Sequence, residues 1–215
     1  MMALRCGMCG TMVIEGRKCS GCKPYSLDVL YNNTPLWQMG PYERASLLYA
    51  IHTIKNCYPF ANLTAIEVGS YFGGFTKELL KTFNTVFSLD IDHSKLQQEC
   101  IDDARLKRIL GDSKVTLPKI LKQTDPDFIL IDGDHSYNGV KGDLQAIVDS
   151  LREESRPFIF VHDAAYPESR KALEEFKKSN SEYEVDVNFA PGVPFGETCV
   201  GGLAFICKKE KKGSK

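Results

Sequence analysis

ILIDGDHSYNGVKGDL, residues 129–144, changes from one pattern to another within a few residues. Ile129, Leu130 and Ile131 form a short apolar run that stops at Asp132, Gly133, Asp134 and His135. From Tyr137 onward Tyr137, Val140, Leu144, Ile147, Val148 and Leu151 fall on one face of a helix. A buried strand that opens onto two acids and an imidazole, followed by a helix, is one βα unit of a parallel sheet. Charges in such a place must be desolvated, paired or bound to something.

The same alternation extends in both directions. TAIEVG (64–69), TVFSLD (85–90), RILGD (108–112), DFILID (127–132) and PFIFVHD (157–163) read as strands, with helical spacing at Lys95–Lys107, Lys114–Lys122 and Tyr137–Arg152. Upstream, Pro41–Asn56 reads as a helix, Pro41 suiting a first turn. Downstream, Tyr183–Phe189 and Val200–Cys207 are strand-like and joined by a loop containing APGVPFGET, so they are expected as antiparallel neighbours. The expected fold is α/β: Rossmann-like and doubly wound, with a mostly parallel seven-stranded sheet and an antiparallel last strand. It should occupy residues 36–208, between an N-terminal extension (1–35) and a disordered tail (209–215).

Of the 215 residues 43% are hydrophobic, enough for one core and a small appendage. Lys and Arg number 27 against 28 acids, a balance that asks for neither a nucleic acid nor a membrane as partner. The longest charge-free stretch, Val29–Tyr42, has 14 residues, short of the roughly 20 that span a bilayer. MMALRCGMCG lacks the apolar centre of a signal peptide. A soluble cytoplasmic protein is expected, its cysteines thiols or metal ligands rather than disulfides.

In open α/β sheets ligands bind at the carboxyl ends of the strands. Those ends carry Glu67-Val-Gly69-Ser70-Tyr71-Phe-Gly73-Gly74, Asp90-Ile-Asp92, Gly111-Asp112-Ser113, Asp132-Gly-Asp134-His135 and His162-Asp163. A dinucleotide loop needs glycine where Tyr71 stands, and a charged Glu67 would repel a phosphate. Asp90, roughly 20 residues on, is placed to hold a ribose. A cationic adenosine without phosphate answers that description: S-adenosylmethionine.

IEVGSYFGG, FSLDID, LGDSKVTLPKI and FILIDGDHSYNGVKGDL, in this order, resemble the class I S-adenosylmethionine-dependent methyltransferases. Within them the likeness is closest to the small-molecule O-methyltransferases of the macrocin and cephalosporin-biosynthesis type, and it spans Pro41 to Lys208. The resemblance implies that Glu67, Gly69, Ser70, Tyr71 and Gly73 flank the methionine and ribose. It places the ribose on Asp90 (Asp92 is the substitute), the adenine on Asp112 and Ser113, and Asp132 beside the cofactor. Helix capping is the alternative for Asp112 and Ser113. His135 would take the acceptor's proton, and Asp134 would orient it or touch the cofactor; for both, capping of the following helix is the plainer reading.

Many relatives hold a divalent cation, Mg or another, at the positions of Asp132, His162 and Asp163, where it orients and acidifies the acceptor. Most have an acidic pair or Asp-Asn where this chain has His162-Asp163. Three readings follow: a site of altered metal preference, a metal on the two carboxylates alone, or no metal with His162 and Asp163 hydrogen-bonded.

Cys6-Gly-Met-Cys9 and Cys19-Ser-Gly-Cys22 are two C-x-x-C turns nine residues apart, the pattern of a structural zinc knuckle with four thiolate ligands. Unligated thiols and an iron–sulfur cluster are the alternatives. Cys57, Cys100, Cys199 and Cys207 read as ordinary core or surface positions.

The expected function is methyl transfer to a small-molecule acceptor, a hydroxyl oxygen first, by an enzyme that is a reasonable homodimer. A cofactor- or partner-binding module working through the zinc knuckle is the second reading. A metal-dependent oxygenase on His135, His162 and Asp163 is the third. Lid material is expected from the segment before Pro41 and from Ala190–Thr198.

Overall fold

The computed structural model describes residues 3–5, 12–14, 37–195 and 198–209. Cys6, Cys9, Cys19 and Cys22, expected to form a zinc knuckle, and the last six residues lie outside the described residues. Two three-residue strands, β1 (Ala3–Arg5) and β2 (Met12–Ile14), pair antiparallel. There follow α1 (Pro41–Cys57), β3 (Thr64–Val68), α2 (Gly74–Thr82), β4 (Thr85–Asp90), α3 (Gln98–Ile101), β5 (Leu106–Leu110), α4 (Ser113–Gln123), β6 (Phe128–Ile131), α5 (Tyr137–Ser150), β7 (Phe158–His162), α6 (Pro167–Ser179), β8 (Tyr183–Phe195) and β9 (Thr198–Lys208).

The main sheet has seven strands in the order β5-β4-β3-β6-β7-β9-β8. β3 through β7 are mutually parallel, and β9, last in the chain, runs antiparallel between β7 and β8. This is the expected Rossmann-like architecture. The chain winds outward from β3 to β5, then returns to start β6 on the other side of β3. The carboxyl ends of β3 and β6 therefore flank the point where the order reverses, and a cleft opens there.

Both faces of the central strands are covered, and for this reason β6 and β7 read as unbroken apolar runs. Phe128 and Leu130 of β6 join one core with residues of α1 and α2, while Ile129 and Ile131 join the other with residues of α4, α5 and α6. Phe128 stacks on Phe160 at 5.5 Å and meets Phe75 and Phe83, each at 5.9 Å. The alternation has the strand period of two, with both partners apolar.

The structure differs from the sequence-based expectation in three places. Lys95–Lys107 holds only the one-turn α3, because Asp103 accepts the Arg105 N–H (3.0 Å) and pairs with its guanidinium, turning the chain into β5 at Leu106. α2 and α6 were not expected as helices. Ala190–Phe195, expected as part of a loop, continues β8 in a long hairpin: Gly192 and Val193 pair with Gly201 and Val200 after a bulge between Asp186 and Ala190. Among the described residues no helix is long and apolar enough to cross a membrane.

Candidate cofactor and active site

A cleft of about 550 Å³ lies over the β3–β6 reversal. Each strand-end motif picked out in the sequence contributes to its wall, and Trp37, Gln38 and Met39, from the segment before Pro41, line it as well.

The glycine loop is braced from beneath. Gly69 has φ +83°, and a Cβ there would collide with the Asp132 carbonyl oxygen. Glycine is the residue that permits both. Tyr71 also has positive φ (46°) and is partly exposed, with Lys95 over its ring at 4.7 Å. Gly73, φ +82°, starts α2. Asp90 holds this turn: its Oδ2 accepts the N–H of Ser70 (2.9 Å) and of Tyr71 (3.1 Å) and the Ser70 hydroxyl (3.2 Å), and its Oδ1 accepts the Asp92 N–H (3.0 Å). Burial pushes the Asp90 carboxyl up, but the N–H groups of Asp92, Ser70 and Tyr71 outweigh it and bring it below its ordinary range. Asp92 is occupied with Ser94 at the exposed surface.

Glu67 departs from the sequence expectation of a fixed negative charge. It is 2% exposed, and among the described residues its one hydrogen bond is from the Thr76 hydroxyl at 2.5 Å. Burial raises its pKa to about 8; the Thr76 bond opposes this, and Asp132 and Asp90 add to it. In the ligand-free protein at neutral pH Glu67 carries a proton, so repulsion of phosphate by its charge does not operate there. Tyr71 and the acids around it still do.

Asp112 caps α4, accepting the Lys114 N–H at 2.9 Å. Ser113 takes no part in that cap; its hydroxyl donates to Asp143 of α5 at 2.6 Å. Asp134 accepts the Ser136 N–H (3.0 Å), closing the turn into α5, and lies 3.8 Å from the Lys114 ammonium. The group beside the His135 ring is instead Asp163, with Oδ2 3.4 Å from Nε2; Asp132 Oδ1 is at 3.9 Å.

His162 is buried, and both ring nitrogens face carboxylates: Nδ1 is 2.7 Å from Asp132 and Nε2 is 3.1 Å from Glu43. Burial disfavours charge on this ring, yet Asp132 above all, with Glu43 and Asp163, holds its pKa well above the ordinary value. As an imidazolium between two acids His162 has no lone pair for a metal. The arrangement brings Asp132, His162 and Asp163 together as an ion cluster. Among the described residues no group of three or more His, Cys, Asp and Glu side chains is placed to hold a metal ion. The two-histidine oxygenase set fails on the same ring, which meets His135 edge-on at 6.1 Å.

Glu43 was missed in the sequence. It is 5% exposed and accepts the N–H groups of Gly40 and Gly202 besides facing His162, so it ties α1 and the chain before it to β9 and the cleft. Its signal was there to read: Glu43 stands in register with Leu47, Ile51 and Ile54 on the apolar face of α1. Away from the cleft chemistry, His52 and His93 bond Asn56 and Ser88. Cys100 is buried, Cys207 half-buried, and Cys57 and Cys199 exposed.

Residues 66–164 match a family described as "Methyltransferase domain". No curated protein matches the sequence. Among solved structures, an O-methyltransferase from Bacillus cereus in complex with SAH is 14% identical, with a TM-score of 0.58 over 85% of this chain and 88% of that one. MycE, a methyltransferase from the mycinamycin biosynthetic pathway in complex with Mg and SAH, is 16% identical, with a TM-score of 0.56 over 90% of this chain and 57% of that one. An rRNA methylase from Streptococcus thermophilus is 14% identical, with a TM-score of 0.51 over 69% of this chain and 88% of that one. At such identities the likeness is one of fold, and the chain spans little more than half of MycE. The family match over residues 66–164, together with a fold shared with an SAH-bound O-methyltransferase, supports an enzyme of the methyltransferase class.

Proposed function

We propose that residues 36–208 transfer the methyl group of S-adenosylmethionine to a hydroxyl oxygen of a small molecule. One observation carries the reading: a cleft at the sheet's reversal point is walled by Asp90, Asp112, Asp132, Asp134 and Asp163 and floored by a braced glycine turn. Such a wall suits a cation and repels a diphosphate.

The residues present fit the cofactor. Gly69 leaves the turn open where a Cβ would collide, Asp90 keeps Oδ1 toward the second strand end, and Ser113 reaches the far wall. When bound, S-adenosylmethionine supplies an electrophilic methyl on a sulfonium. The chain's part is to align the acceptor oxygen, exclude water and receive one proton. His135 is the base, and Asp163 and Asp132 stabilise the imidazolium that forms. Small-molecule O-methylation is in keeping with the B. cereus and mycinamycin-pathway proteins. No step is routed through a metal, since His162 is held as a cation; Asp132 and Asp163 are the oxygen donors left.

The N-terminal extension, 1–35, is read as a structural zinc site on Cys6, Cys9, Cys19 and Cys22, which stabilises a segment too short for a core. Metal analysis should return about one zinc, lost in Cys6→Ser.

Calorimetric titration with S-adenosylmethionine tests the main reading. Saturable binding with NADH unable to compete is expected, and no heat, or displacement by NADH, overturns it. With radiolabelled cofactor and a panel of phenols and hexosides, His135→Ala should bind the cofactor as the wild type does and lose about 100-fold or more in transfer rate.

A further inference from the structure

Asp143 is fully buried on α5, and the mechanism gives it no part. Its Oδ1 accepts the Ser113 hydroxyl at 2.6 Å, and among the described residues its Oδ2 has no hydrogen-bond partner. Ser113 sits on the cleft wall. It is not the helix cap, since Asp112 does that work. A tether between α4 and α5 needs no buried carboxylate, which is costly to desolvate.

We propose that Asp143 is a positioning residue which fixes the Ser113 hydroxyl as a hydrogen-bond acceptor toward the cleft, so that this end of the site selects a 6-amino purine over its 6-oxo counterpart. The inference rests on the cofactor reading above. A serine hydroxyl has one hydrogen. Given to Asp143, it leaves only lone pairs for a ligand, and the ligand group that meets them must donate. The exocyclic amine of adenine donates; the 6-oxo group of hypoxanthine sets lone pair against lone pair.

The direction of that bond follows from the charge on Asp143. Burial raises its pKa to about 6; Ser113 and Lys114 oppose the rise, while Asp112 and Asp134 support it. Above that pH the carboxylate accepts and cannot donate. Asparagine at 143 reverses the arrangement. A buried N–H without a partner costs more than an under-used carbonyl, so the amide turns its NH2 toward Ser113 and frees the serine hydrogen for the cleft.

Binding of S-adenosylhomocysteine and S-inosylhomocysteine, measured by calorimetry at pH 7.5, tests this. The wild type should prefer the adenosyl compound by about tenfold or more, the value of one unmatched polar contact. In Asp143→Asn the preference should fall to within about threefold of unity. In Ser113→Ala the preference should also be lost, and adding Asp143→Asn to it should change nothing further. A preference that survives in Asp143→Asn, or one that Asp143→Asn alters equally in the Ser113→Ala background, overturns the inference while leaving cofactor binding intact. Failure of the wild type to bind S-adenosylhomocysteine overturns both readings.

Discussion

Glu67→Gln keeps the shape of the buried side chain and an acceptor for Thr76, and it removes the proton that burial imposes. For Glu67 the folded-state pKa is raised, so between its ordinary 4.5 and about 8 the native protein holds a proton that the unfolded chain has lost. Stability contributed by this group therefore falls as pH rises through that window. The rise from 4.5 to about 8, at roughly 1.4 kcal/mol per pH unit, amounts to about 5 kcal/mol by pH 9. Urea unfolding of the ligand-free protein from pH 5 to 9 should show the wild type losing ground steadily against Glu67→Gln.

A bound cation reverses the preference. At pH 7 a group with a pKa of about 8 is about nine-tenths protonated, so S-adenosylmethionine should expel roughly 0.9 proton as Glu67 ionises beside its positive charge. Calorimetry in phosphate and in Tris, which differ in ionisation enthalpy, counts that proton. Glu67→Gln should release none from this position and bind more weakly. Stability curves that run parallel from pH 5 to 9, or equal proton release from the two proteins, refute the reasoning.

Two further substitutions probe the frame around the cleft. Glu43→Ala leaves the buried His162 cation with one partner fewer and the Gly40 and Gly202 N–H groups unmatched; urea denaturation should show a loss of roughly 3–5 kcal/mol, with Glu43→Gln in between, and a cost below about 1 kcal/mol contradicts the assignment. Gly69→Ala forces a side chain into the left-handed region and against the Asp132 carbonyl; the backbone conformation alone costs about 1–2 kcal/mol, so thermal unfolding should show a marked fall in Tm, and wild-type melting contradicts it.

The sheet was legible in the sequence because parallel strands covered on both faces need apolar side chains at successive positions, as FILI and FIFV supply. The helices were less so. α6 buries only Ser169, Ala172, Leu173 and Phe176 among its thirteen residues, too thin a stripe to stand out from the surrounding charge. α2 begins directly from Gly73, so a helix start was hidden inside a loop motif. Acids at strand ends were visible because they interrupt apolar runs. Glu43 and Asp143 stand at core spacing within helices, which marks them as buried, but their partners lie 119 and 30 residues away, respectively. A carboxylate on an apolar stripe implies such a partner, but sequence spacing gives no means of naming it.

How the acids of the cleft are matched argues for the charge of what binds there. Asp90 is met by the N–H groups of its glycine turn, Asp112 by the start of α4, and Asp134 by Ser136 and Lys114. Asp132 has the His162 imidazolium, and Asp163 has the Gly201 N–H at 2.7 Å with His135 beside it. Glu67 has a single hydroxyl, and it is neutral only because burial keeps its proton on. Of these acids it is the one whose charge is free to appear, and a positive ligand is what makes it appear. A neutral or anionic ligand leaves Glu67 protonated, so proton release on binding separates a cationic ligand from either.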